Sequence, residues 1–563
     1  MSTLCDILFP GVPTIQSIIN RYPERKTPMV TRIAPSPTGF LHIWSVYTWL
    51  LNQKLAHQAG GIFFVRVEDT DQARNKTDYE LQQGWIYSII NGLEFFDIPW
   101  NEGINKNNDG TFSDIWSYWP YTQSHRLELY KSCVAYLLET NKAYVCFMTP
   151  EELEQLRTNQ QLSKQPTGVY GSYALNRNLS ESEVISYISQ WKPWVIRRKA
   201  PCGPWTKTMF HDGIKWEIEM EDNFIDQVVF KSDGFPTYAL AHIVDDYLMG
   251  TTHVIRADER LPSVPFHRQL FQWFSDIFTR SWRSYNHCSP IQKLDNGNRR
   301  KLSKRKDPEA DVQVLIDKWY PAEGIKVYLM CLLNSNFEER RKEKNKPIHD
   351  NQNISYTSYN DFTISLEKCN ISGAIFDIDK LNHICSEYLS IISIPTLLEE
   401  FKNYNNRYNK ITLNELDEKL IIKALSCDRN KKLHTTYLDI MDYLVPLIQW
   451  TWIIDQELFP NIFSQTMKSD IMTDYVSIIE SMFDVHNNII ISKEERREET
   501  KKIWIKHGFA GNKKEFEQWW FIGMISDIAM MLRVLLYGKQ QTPDLYNMIT
   551  ILGKQETIKR LQQ

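Results

Sequence analysis

Residues 30–69 constrain the fold more than any other stretch of this chain. An apolar run from Val30 to Ala34 is followed by the loop PSPTG at 35–39. A helix-like stretch from about 42 to 58 comes next, then a second strand-like run, IFFVRVED at 62–69. Strand, Gly/Pro loop, helix and strand in that order form a βαβ unit, the building block of a parallel, nucleotide-binding type of sheet. In the second run Phe63, Val65 and Val67 alternate with Phe64, Arg66 and Glu68, which predicts one apolar face and one mixed face. The prolines and Gly39 force a tight loop just ahead of the helix. A helix N-terminus has unpaired N–H groups and a partial positive charge, so it suits phosphate. His42 stands at its edge and can add a donor. A plain turn with a buried or surface histidine fits the same residues.

Three further features carry chemistry. Arg32 and Arg256 end the apolar segments MVTR and HVIR. In a parallel sheet the strand ends face the ligand crevice, where a guanidinium can grip a carboxylate through two parallel hydrogen bonds. Glu68 also ends a strand and can hold an ammonium group. An ordinary surface ion pair is the alternative for each. The third feature is KLSKRK at 301–306; six of the eight residues from 299 to 306 are basic. Such a run is either a solvated or nucleic-acid-binding loop or a lysine loop that neutralises phosphate charge in a transition state.

At 563 residues the chain has room for roughly three or four domains at about 150 residues each. A net charge of −4 confines nucleic-acid contacts to local patches. Nine cysteines without a C-x-x-C pair argue against a disulfide framework and for a reducing compartment. The opening MSTLCDILFPGVPT has no basic region ahead of its short apolar run, so it does not read as a secretory signal. No apolar run approaches the ~18 residues a membrane span needs, and a cytoplasmic protein is expected.

Residues 1–28 read as a turn-rich N-terminal extension and 126–232 as an insertion between two halves of the sheet. Thr149 with Glu152, and Ser180 with Glu183, predict capping boxes within it. Beyond residue 400 the period is helical. Thr412 and Glu415 frame another box, and Ile522, Ile525, Ala529, Leu532 and Leu536 share a face. Thr542, Pro543 and Gly553 bracket a last helix that carries Leu545, Met548, Ile549 and Leu552.

Taken together these motifs resemble the class I aminoacyl-tRNA synthetases, the bacterial-type glutamyl-tRNA synthetases in particular. The family pattern R-[IF]-A-P-S-P-T-G-x-x-H-[IV]-G is matched by RIAPSPTGFLHI at 32–43. Glu68 to Asp71, SDGFPTYALAHIVDDYLMG from 232, HVIRADE at 253–259 and KLSKRKDPEA at 301–310 follow in the family's order, and TPDLYNMITILG resembles its anticodon-binding end. The resemblance covers essentially the whole chain.

It implies an α/β protein: a Rossmann-like catalytic domain with an inserted acceptor-binding domain, followed by an all-helical anticodon-binding domain. The implied boundaries are 1–28 for the extension, 29–125 and 233–306 for the catalytic halves, 126–232 for the insertion, 307–400 for a stem-contact region and 401–563 for the anticodon domain. The implied reaction is ATP-dependent ligation of L-glutamate to tRNA(Glu) through glutamyl-adenylate, with Mg²⁺ accompanying ATP and a monomer expected. By matched position Arg32, Ala34, Ser36, Glu68, Tyr238 and Arg256 form the glutamate pocket. His42, Ser45, Lys301, Ser303 and Lys304 bind ATP, with His42 and Lys304 acting in catalysis.

The chain also departs from the family. The glycine of the histidine signature is Trp44, and the usual tryptophan after the Asp-Glu pair is Arg260. Both fall on the ATP side and favour a compromised ATP site. They raise a second reading, a tRNA-binding paralogue with impaired ATP use. Some relatives hold zinc in the acceptor region, starting C-x-C. Here that stretch reads Cys146, Phe147, Met148, and a later expected cysteine is Asn176. One cysteine cannot make a four-ligand site, so no structural zinc is expected. Glutaminyl enzymes share the catalytic motifs, but their anticodon region is β-barrel, against the helical period here.

Overall fold

The protein is described from a computed structural model, which covers residues 3–36, 41–71, 79–107, 109–114, 116–279, 283–303, 306–344, 362–408, 410–413, 415–428, 434–448, 463, 465–484, 488–516, 521–539 and 544–562. The chain forms two compact units. The first takes residues 3–315, 326–344 and 362–378, and the second takes 316–325 and 379–562, as far as these are described.

In the first unit β1 (Val30–Ile33) pairs in parallel with β2 (Ile62–Val65), and the short β3 (Glu102–Gly103) extends β2 on its far side. β4 (His253–Ala257) and β5 (Ser284–Cys288) also pair in parallel, with Arg256 opposite His287. The amide of Thr252 donates to the Val30 carbonyl at 2.9 Å, and Val30 N–H donates to Thr252 Oγ1 at 2.8 Å, which seats β4 beside β1. The spatial order is therefore β3-β2-β1-β4-β5. The chain runs outward in one direction from β1 and in the other from β4, and ligands bind where strand order reverses in this way.

Helix α1 (Ile43–Gln58) connects β1 to β2 and is buried nearly all round, from Val46, Tyr47, Trp49 and Leu50 to Leu55 and Ala56. Helix α2 (Tyr238–Leu248) precedes β4 and is buried from Ala239 to Leu248. The second strand run does not alternate. Phe63, Phe64, Val65, Arg66 and Val67 are all buried, because this parallel sheet is covered on both faces.

Between the sheet's halves lies a three-stranded antiparallel sheet with Val195–Arg198 at its centre, flanked by Ala143–Cys146 and Val228–Phe230. A hairpin, Lys207–Asp212 with Trp216–Glu221, follows the central strand. Both capping boxes expected here form with both arms made. Cys146 is buried with Tyr144, Val169 and Ala174, and Asn176 Oδ1 accepts from the Phe147 amide at 2.9 Å.

The first residues are more ordered than a turn-rich extension. They form helices Thr3–Leu8 and Ile15–Arg21, the latter capped by Thr14, whose hydroxyl accepts from the Ser17 amide. Cys5, Phe9 and Ile18 pin them to the core under Tyr130 and Val134.

The second unit is helical, with Ile394–Tyr408, Glu415–Asp428, Tyr437–Ile448, Gln465–Met482 and Ile525–Tyr537 around one core. The expected Thr412–Glu415 box rests on the Glu415 side chain, which lies outside the described residues. Ile522 precedes the helix it was expected to join and is largely exposed. Gly553 interrupts the last helix as expected: its φ of 77° and ψ of 174° are non-helical, a conformation glycine tolerates without strain, and a second helical segment continues to Leu561. The continuation places Arg560 in the core, where it donates to the carbonyls of Leu536, Pro446 and Leu447 at 2.8, 3.1 and 3.0 Å. One side chain thus satisfies carbonyls left unpaired at two helix C-termini.

Candidate active site

The C-terminal ends of β1 and β4 open onto a cleft of about 320 Å³. Arg32, Ala34 and Ser36 reach it from β1 and its loop, Arg256 from β4, Tyr238 from the start of α2 and Glu68 from just beyond β2. All six residues expected to form an amino-acid pocket therefore line one cavity, at the point where strand order reverses. Ser45 lines it too, as do both unusual residues, Trp44 and Arg260.

The two arginines are held differently. Arg32 Nε and Nη2 donate to the two oxygens of Asp246 at 3.0 and 3.1 Å, a bidentate pair with both side chains almost wholly buried. Asp246 also accepts from Arg66 Nη1 at 2.8 Å, and Arg66 Nη2 donates to Glu68 at 3.0 Å. Next to it, Asp245 accepts from Arg126 at 2.7 Å and from Gln123 and Tyr130 at 2.8 Å each. Unpaired charges at this depth would cost several kcal/mol each. Burial alone would raise the Asp246 carboxyl, but the Arg32 and Arg66 guanidiniums outweigh it and hold the group well below the usual carboxylate range. Glu68 has fewer compensating partners, and burial pushes it upward despite Arg66 and Arg32.

Arg256 Nε donates to His287 Nε2 at 3.0 Å and Nη1 to the Tyr238 hydroxyl at 3.1 Å. Nη2 donates to the Arg260 carbonyl and to Ser263 Oγ at 3.0 and 3.3 Å. The Arg260 guanidinium lies over the Tyr238 ring, 4.4 Å from its centroid. Burial pushes His242, His267 and His287 below the ordinary histidine value, so all three stay neutral near pH 7.

His42 is the N-cap of α1 and does not line this cleft. Its Nδ1 accepts from the Trp44 amide at 2.9 Å and its carbonyl accepts from the Ser45 amide at 2.7 Å. Two of the first-turn amides that the loop pattern offered to phosphate are thus taken by the cap. The same bond fixes the tautomer, so in the neutral ring Nε2 carries the proton. The Trp44 indole stacks on Tyr47 one turn on, centroids 4.9 Å apart at 25°. Lys301 ends strand Asn298–Lys301 and pairs with Glu259. Ser303 N–H donates to Asp307 Oδ2 at 3.0 Å, and Arg300 grips the same carboxylate at 2.6 and 2.7 Å. Lys304 lies outside the described residues.

A family model described as "tRNA synthetases class I (E and Q), catalytic domain" matches residues 28–372, and one described as "Anticodon binding domain" matches 524–563. The chain belongs to the class I tRNA synthetases. The glutamate--tRNA ligase of Acetivibrio thermocellus is 34% identical over 100% of this chain and 99% of its own length. That of Clostridium beijerinckii is 35% identical over 100% and 98%. Among solved structures, a glutamate tRNA ligase from Elizabethkingia meningosepticum in complex with its amino acid superposes with a TM-score of 0.67 at 25% identity, covering 95% of this chain and 98% of the other.

Reading residues singly missed the supports of this synthetase's cleft. Asp246, Arg66 and His287 carry no motif by themselves. A signal was present, however: two adjacent aspartates interrupt the apolar run AHIVDDYLM, and Arg66 interrupts a buried strand.

Proposed function

We propose that this synthetase joins L-glutamate to tRNA(Glu) at the expense of ATP, with the cleft between β1 and β4 as its amino-acid pocket. The observation that carries the reading is the convergence of Arg32, Arg256, Tyr238 and Glu68 on that one cavity. Two cations suit a ligand with two carboxylates, and Glu68 suits its ammonium. In the first step a glutamate α-carboxylate oxygen attacks the α-phosphorus of ATP and pyrophosphate leaves. In the second a terminal ribose hydroxyl of the tRNA attacks the activated carbonyl carbon, releasing AMP and the hydroxyl proton. The first step needs orientation and charge stabilisation more than a general base.

His42 is assigned as a phosphate donor through Nε2–H. Lys301, Ser303 and Lys304 are assigned to the triphosphate, with Ser45 beside the nucleotide. ATP enters as its Mg²⁺ complex, so the ion arrives with the substrate. Residues 126–232 are assigned to the acceptor end, 307–400 to the stem and 401–563 to the anticodon. A monomer acting in the cytoplasm belongs to the same reading.

Charging unfractionated tRNA with labelled glutamate and ATP tests the reading. Acid-precipitable label is expected with glutamate and not with glutamine. Charging with glutamine alone, or with neither, would overturn it.

A further inference from the structure

Asp212, at the end of the first strand of the hairpin in the inserted region, is fully buried, although that hairpin is otherwise largely exposed. Its carboxylate meets His287 on β5. Oδ2 faces His287 Nδ1 at 2.5 Å, and the His287 amide donates to the same carboxylate at 3.2 Å. Oδ1 also accepts from the amides of Ile214 and Lys215 at 3.0 and 2.9 Å, so both oxygens are committed. His287 is the register partner of Arg256 on the neighbouring strand, and its other nitrogen, Nε2, accepts from Arg256 Nε at 3.0 Å.

Only one protonation state satisfies this chain. An arginine side chain has donors and no acceptor, so His287 Nε2 must present its lone pair. A carboxylate only accepts, so Nδ1 must carry the proton. Asp212 therefore selects the tautomer that can hold Arg256. We propose that Asp212 and His287 are positioning residues for glutamate: they fix the Nε edge of Arg256 and so set the plane of the guanidinium at the cleft wall, where Nη1 and Nη2 meet Tyr238, the Arg260 carbonyl and Ser263. This rests on Arg256 belonging to the amino-acid pocket, as assigned above. It also means that part of the pocket's precision comes from the inserted region and not from the sheet that lines the cavity.

Two pairs of variants test it. In Asp212→Asn the carboxamide cannot accept at both positions. Either its NH₂ faces Nδ1 and drives the proton to Nε2, against Arg256, or its NH₂ opposes the Ile214 and Lys215 amides, donor against donor, and displaces the turn that carries the side chain to His287. In His287→Gln the amide oxygen can occupy the place of Nε2 and keep the bond to Arg256. In His287→Asn the shorter side chain reaches the place of Nδ1 and leaves the Nε edge of Arg256 without its partner.

Pyrophosphate exchange in the full-length enzyme with tRNA present would be measured at varied glutamate and at varied ATP. KM for glutamate is expected to rise at least tenfold in His287→Asn and in Asp212→Asn. His287→Gln should lie at least fivefold closer to wild type than His287→Asn, and KM for ATP should move less than threefold in all of them. The Gln/Asn contrast keeps the test sharp even if Asp212→Asn disturbs the hairpin. Equal effects of Gln and Asn, or equal shifts in the two KM values, would overturn the proposal. Arg256→Gln separates the two levels. If it leaves glutamate KM unchanged, the pocket reading itself fails; if it raises glutamate KM while His287→Asn does not, only the positioning role fails.

Discussion

Replacing Trp44 by glycine tests the residue that departs most sharply from the family. The indole is half-buried, stacks on Tyr47 and lines the cleft beside Arg260. Removing it opens space at the first turn of α1, where nucleotide-binding folds generally keep bare backbone. Two costs follow. Loss of the aromatic pair is about 0.5–1.5 kcal/mol, and glycine in a helix costs roughly 0.5–1 kcal/mol more. Together these predict a stability loss of about 1–2.5 kcal/mol, visible as a lower Tm and small for a unit of this size. The gain is in ATP use: kcat/KM for ATP should rise at least tenfold, about 1.4 kcal/mol of transition-state binding. The assay is pyrophosphate exchange at saturating glutamate and tRNA with ATP varied, and KM for glutamate should change little. A lower Tm with unchanged ATP kinetics would refute the reasoning, because the indole would then be packing and not obstruction.

Three more outcomes follow from the same geometry. Asp246→Asn leaves the buried Arg32 and Arg66 short of a counter-charge and should cost about 3–5 kcal/mol of stability, read by denaturant unfolding, with a raised KM for glutamate; a loss under 1 kcal/mol would contradict the buried pair. Lys304→Ala should lower pyrophosphate exchange by roughly 10²–10³-fold, as loss of one transition-state donor does, and spare tRNA affinity in a gel shift; equal losses in both would mark a plain RNA-binding loop. Because His242, His267 and His287 are held below the ordinary histidine value of 6.5, the unfolded chain takes up protons below that pH that the folded chain does not. Stability should therefore rise with pH up to about 6.5 and level off above it, by as much as about 1.4 kcal/mol per pH unit for each histidine. Calorimetry from pH 5 to 7.5 reads this as a rising Tm, and a flat or falling Tm would contradict three buried neutral rings.

The parts of this molecule legible in its sequence are those with local signals. The βαβ unit, the two capping boxes and the helical period beyond residue 400 each rest on residues a few positions apart. The pocket's lining was legible because strand ends face the crevice, which brings Arg32 and Arg256 to one place. What holds that lining was not. The partners of Arg32 and Arg256 lie 214 and 31 residues away, at Asp246 and His287, and only parallel register and the packing of α2 bring them together. Arg66 was read as part of a mixed strand face because alternation assumes one wet side, and this sheet has none. The stop at Gly553 is local and was legible, but the helical segment beyond it was not, because Arg560 is held there by carbonyls of two other helices.

A crystal structure with a non-reactive glutamyl-adenylate analogue tests the central claim most directly, since that claim is about which cavity holds the amino acid. The glutamyl group is predicted between β1 and β4, its side-chain carboxylate within hydrogen-bond distance of Arg32 or Arg256 and its ammonium facing Glu68. A glutamyl group bound elsewhere, or bound in the cleft with neither arginine in reach of its carboxylate, would contradict the account.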